Sequence, residues 1–117
     1  MSMVTTLILT TSIMEGSEDA EGNDTFPAID KLNELLGGGA WFKPVHQHAG
    51  GNKAPQANVF MAAINHLMLA DLFLAMNRVE WEEPEAVLLL VNEEQEDGFH
   101  VEEWRFALLG KIPEQTP

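Results

Sequence analysis

Three runs of this chain are apolar or β-branched at nearly every position: Val4–Thr11 (VTTLILTT), Asn58–Ile64 (NVFMAAI) and Glu85–Val91 (EAVLLLV). Each is too short for a buried helix and is bounded by turn-forming residues, so each reads as a strand. Only two stretches carry a helical period. Phe26–Leu36 places Phe26, Ile29, Leu32, Leu35 and Leu36 on one stripe, and Met68–Glu80 does the same with Leu69, Leu72, Phe73, Met76 and Val79. Asp24 or Thr25 is positioned to cap the first helix, Pro27 sits in its first turn, and Gly37–Gly39 stop it. Asn65 closes the strand before the second helix and begins its cap.

Two further segments complete the pattern. Ala40–Ala49 (AWFKPVHQHA) reads as extended, and Pro44 confines it to a sheet edge because proline cannot donate to a ladder. With Gly50–Gln56 as a turn, it forms a hairpin with Asn58–Ile64 in a register that sets Ala49 against Ala57 and His46 against Phe60. Phe99–Phe106 returns after the Asp97-Gly98 turn as a final strand. The order β-α-β-β-α-β-β predicts an α+β fold: a ferredoxin-like βαββαβ sandwich with an additional C-terminal edge strand. The alternative is one long central helix over residues 57–79. The 117 residues suit a single domain, with a mobile acidic loop over 12–24 and a frayed tail over 108–117.

Two helices cover one face of such a sheet. Yet the strands are apolar on both faces, with Leu7 and Leu9 set against Ile8, and Leu89 against Leu88 and Leu90. A one-sided strand would alternate apolar and polar. The uncovered face therefore predicts a homodimer.

Charge is the other constraint. With 6 Lys+Arg against 19 Asp+Glu, the net charge is −13, which argues against binding nucleic acid or anionic membranes. The stretch Val59–Val79 is interrupted by polar residues and does not read as a membrane span, and the N-terminus lacks the basic region of a secretory signal, which predicts a cytoplasmic protein. Five acids fall between Glu15 and Asp24 and ten between Glu80 and Glu103, with no Lys or Arg in either window. Such windows predict a negative surface that docks on a basic protein partner. Its candidate residues are Glu82, Glu83, Glu93, Glu94, Glu96, Asp97, Glu102 and Glu103, and substitutions at Glu93, Glu94, Glu96 and Asp97 are expected to slow association.

Signatures of catalysis are sparse. The chain has no cysteine, no G-x-S-x-G, and Gly-rich stretches that match neither a P-loop nor a dinucleotide fingerprint. His46 and His48 form H-x-H, which on a strand points both imidazoles to one face, but no carboxylate completes a zinc site. No metal or cofactor is expected. The leading expectation is an acidic, non-enzymatic protein that inhibits or neutralises a basic partner, of the immunity-protein or nucleic-acid-mimic type. The alternatives are a homodimeric α+β barrel with a small-molecule or oxygenase-like site near Trp41, His46 and His48, and an assembly protein.

Overall fold

A computed structural model describes residues 4–39, 41–94 and 97–105. Five strands form one antiparallel sheet: β1 (Val4–Ser12), β4 (Lys43–Pro44), β5 (Ala57–Asn65), β6 (Leu88–Glu93) and β7 (His100–Glu102), in the spatial order β4-β5-β1-β6-β7. A separate two-stranded hairpin, β2 (Ser17–Glu18) with β3 (Asp24–Thr25), follows β1. Two helices, α1 (Pro27–Leu35) and α2 (Leu69–Arg78), complete an α+β architecture. Among the described residues no helix is long and apolar enough to cross a membrane.

The period of 2 along the strands decides which side is core. Thr5, Leu7, Leu9 and Thr11 of β1 are buried, as are Asn58, Phe60, Ala62 and Ile64 of β5 and Leu89 and Val91 of β6. Their register puts them on one face, since Leu9 lies opposite both Phe60 and Leu89, and Leu7 opposite Ala62 and Val91. Ile29 and Leu32 of α1 and Leu72, Ala75 and Met76 of α2 close over that face in a single core. The alternate residues face away from the helices. Met61, Ile8, Leu90 and Val101 form one continuous row across four strands, because Ile8 pairs with Met61 and Leu90, and Leu90 with Val101.

Helix 57–79 does not form: Ala57–Asn65 is a strand nine residues long and only Leu69–Arg78 is helical. The β-branched and aromatic residues of that first half pair with β1 along its whole length. The helix caps also differ from the expectation. Thr25 is taken up by pairing with Ser17, so Phe26 is the N-cap of α1 and provides no side-chain bond. Asn65 stays in the sheet opposite Val4, and the chain turns instead at His66, with φ of 59°.

Gly38 illustrates why α1 ends where it does. Its N–H reaches back to the Asn33 carbonyl at 3.1 Å, directed there by the left-handed conformation of Gly37 before it, φ 114°, and Gly38 is itself left-handed, φ 81°. A Cβ there would meet nothing within 4 Å, so the cost of a side chain is purely backbone. Gly38→Ala is expected to destabilise the fold by about 1–2 kcal/mol, readable as a drop in thermal midpoint.

The second strand is much shorter than Ala40–Ala49. Only Lys43–Pro44 joins the sheet, and residues His46–His48 form a 3-10 turn. The register is also two residues from the one expected: Pro44, not His46, lies opposite Phe60. The cause is a side chain acting in place of the backbone. Val59 donates its N–H to His46 Nδ1 at 3.1 Å, while its carbonyl accepts from Val45 N at 2.8 Å. Nδ1 also lies 3.2 Å from the Val59 carbonyl; in the neutral tautomer that accepts the Val59 N–H, the ring proton is on Nε2. The imidazole also packs edge-on against Phe26 and Phe60, with centroids 5.5 and 5.7 Å away. On the other side of the sheet, Glu85–Ala86 lie in a 3-10 turn, so β6 starts at Leu88, and β7 is confined to His100–Glu102. Residues 106–117, including the predicted tail, lie outside the described residues.

Candidate functional site

The two acidic windows meet at Glu15. Ser12 ends β1 and caps the 3-10 turn Ile13–Glu15, its Oγ accepting from Met14 N at 3.0 Å. Asn58 on the neighbouring strand steadies this corner by donating Nδ2–H to the Ser12 carbonyl at 3.2 Å. The turn drives Glu15 inward until it is only 3% exposed. There Glu15 Oε2 accepts the backbone N–H of Glu83 at 2.9 Å, a contact between residues 68 apart in the chain. Glu15, Glu80 and Glu82 consequently line one depression of about 240 Å³, floored by Pro27 and Ala28 of α1.

The segment that carries Glu80–Glu85 is held from below by two tryptophans. Trp81 donates Nε1–H to the Met76 carbonyl at 2.9 Å, and Trp104 donates Nε1–H to the Val87 carbonyl at 2.9 Å. The rings meet edge-on with centroids 6.0 Å apart. Asn77 of α2 adds a bond from Nδ2 to the Trp104 carbonyl at 2.7 Å. Trp104 is buried and Trp81 half-buried, and each indole satisfies its single donor. Just past Glu83, Glu85 joins Glu102 and Glu103 around a second small depression that also contains Arg105. A band of carboxylates therefore runs from Glu80 and Glu82, beside the buried Glu15, through Glu83 and Glu85, to Glu102 and Glu103.

The remaining candidates sit elsewhere. Glu93 is opposite Thr5 at the far end of β6, and Glu94 accepts from Val4 N at 2.7 Å. Six residues of β6 separate Leu88 from Glu93 inclusive, roughly 17 Å at a strand's rise. Glu82, Glu83, Glu102 and Glu103 are thus brought to one end and edge of the sheet, and Glu93 and Glu94 to the other end, with Asp97 following in the turn toward β7. Glu96 lies outside the described residues. At the β7 edge, His100 Nε2 and Glu102 Oε2 are 2.6 Å apart.

The first window is a turn with its own fastening. Asp19 Oδ1 accepts the N–H groups of Asn23 and Glu21, both at 2.9 Å, between β2 and β3. The Asn23 N–H holds the Asp19 carboxyl below its ordinary 3.8; desolvation opposes it, and the Glu21 N–H and the Asn23 amide add to the lowering. The stabilisation this gives the hairpin is present above the ordinary Asp range and is lost as pH falls through the lowered value. The amide resonances of Glu21 and Asn23 are expected to titrate together below pH 3.8 in an NMR pH series, and the titration is expected to vanish in Asp19→Asn.

Trp41, His46 and His48 are not gathered. Trp41 is 39% exposed and lines an open apolar groove of about 650 Å³ with Leu36, His66, Met68, Leu74 and Arg78. His46 is bound to the β5 backbone and packs on Phe60, a core-side residue, while His48 is exposed in the 3-10 turn. Among the described residues no three of His, Asp and Glu are grouped as metal ligands. Comparison with protein-family models, with curated proteins and with solved structures finds no match for this chain.

Glu15 is the residue that sequence reasoning passes over. It lies within a window that reads as solvated, and nothing local marks it as the one acid turned inward. Glu80 and Glu85 complete the band with it.

Proposed function

We propose that this chain is an acidic, non-enzymatic binding protein that docks on a basic protein and inhibits or neutralises it, in the manner of immunity proteins or nucleic-acid mimics. The observation that supports this reading is the Glu15–Glu83 hydrogen bond, which draws acids from two windows far apart in sequence into one band. Convergent like charges gain nothing for the folded chain itself. Toward a basic partner they raise the encounter rate and set its orientation. The tryptophan pair beneath the band supplies rigidity, so little order has to be imposed on binding. We read the strand order as that of a ferredoxin-like sandwich whose edge is extended by β7, and place the protein's action in the cytoplasm.

The test is capture. The chain is immobilised and exposed to a lysate of its native host at low salt, then eluted with rising salt. The expected result is one basic protein released at high salt. Release of nothing, or of neutral and acidic proteins only, contradicts the proposal.

A further inference from the structure

We infer that the face of the sheet turned away from the helices is the interface for a second copy of this chain, which goes beyond the docking of a basic partner and does not rest on it. The face is built from the alternate residues of five strands. Its centre is the row Met61, Ile8, Leu90 and Val101, flanked by Leu88 and Val59 on either side of Thr10. Met61, Leu88 and Val101 are exposed at 37, 42 and 56%, although all three are large and apolar.

The charge pattern selects the occupant. The chain carries 19 acids, yet none of the strand residues that point to this face is acidic. Their single charge is Lys43 on the β4 edge. Acids in the same strands, Glu93 and Glu102, share the parity of the core residues Val91 and Leu89. A basic partner would be better served by the acidic band. A copy that is itself strongly negative can approach closely only where acids are missing, and the strands of this face, with Glu103 only at the rim, are that place.

Size sets how tight the pairing is. β1 and β5 are nine residues long, β6 six, β7 three and β4 two, so the face covers roughly 450 Å² per copy. Two copies would bury about 900 Å², the size of a weak, reversible interface. A two-fold axis along β1 lays the β4 edge of one copy over the β7 edge of the other. Lys43 then lies over Val101 of the partner subunit, and its long stem extends toward the partner's Glu103, two residues further along the β7 edge. The symmetric packing repeats this pair at both rims and buries the apolar row between them.

Sedimentation equilibrium of the full chain over roughly 1–100 µM tests this. The wild type is expected to approach twice the chain mass at the highest concentration. Because the copies repel through their acids, raising salt from about 20 to 300 mM should tighten the dimer, the opposite of its effect on docking to a basic protein. L88E/V101E is expected to be monomeric with unchanged far-UV circular dichroism, both sites being exposed. K43E and E103K should each weaken the dimer about threefold, and the double exchange should restore it. A wild-type monomer at the highest concentration overturns the inference, as does a dimer that survives L88E/V101E. So does a captured basic protein that shifts the methyl resonances of Ile8 and Leu90 in place of a second copy. Loss of the dimer with retained capture, or the reverse, separates this inference from the proposed function.

Discussion

Phe60→Ala is expected to lower the unfolding free energy by about 3–5 kcal/mol, the largest effect of any single substitution considered for this fold. Phe60 is fully buried on β5. Its ring meets Phe26 edge-on at 5.0 Å and His46 at 5.7 Å, so it joins the α1 entry, the central sheet and the β4 edge. Truncation removes that dispersion contact and leaves a cavity that three separate elements cannot close together. It also frees the His46 ring, on which the Val59 N–H depends. Urea titration should show a lower midpoint with an unchanged slope. A loss below about 1 kcal/mol would mean that the site collapses around the smaller side chain, contrary to the packing described.

E80Q/E82Q/E83Q/E85Q is expected to slow association with the captured basic partner about 30-fold at low salt, with little change in stability. None of these four side chains accepts the bond that fixes the segment; that role belongs to Glu15, which is left intact. The comparison variant E93Q/E94Q/E96Q/D97N removes the same number of charges, with Glu93 and Glu94 at the other end of β6, and should slow association only about threefold, through the general field. Equal effects from the two variants would show that net charge, and no particular band, attracts the partner.

Much of this architecture is written locally in the chain. The alternation of Leu7 and Leu9 with Thr6, Ile8 and Thr10, and the stripes of α1 and α2, depend on backbone period alone. That makes the five-stranded antiparallel sheet with two helices readable without coordinates. The apolar character of both sheet faces is legible for the same reason. What was not legible depends on partners distant in sequence. His46 looks like one half of a same-face histidine pair until its ring is seen to replace a carbonyl opposite Val59, which cuts β4 short at Pro44 and moves the register by two. Asn33 has no sequence mark either. Buried in α1, it bonds both backbone groups of Phe42, accepting from its N–H at 2.9 Å and donating to its carbonyl at 3.2 Å. The join between the acidic windows has the same origin. Within the second window, Glu82 and Glu93 seem alike as charges, and only the sheet between them sends them to opposite ends.

The most direct test of the central claim, that a band joined through Glu15 recognises a basic protein, is the association rate of the captured partner measured against ionic strength. Stopped-flow traces for the wild type and for E80Q/E82Q/E83Q/E85Q suffice. The account predicts a steep fall with salt for the wild type and a much flatter line for the variant, the two converging at high salt. Parallel lines for the two proteins, or a wild-type rate indifferent to salt, would contradict it.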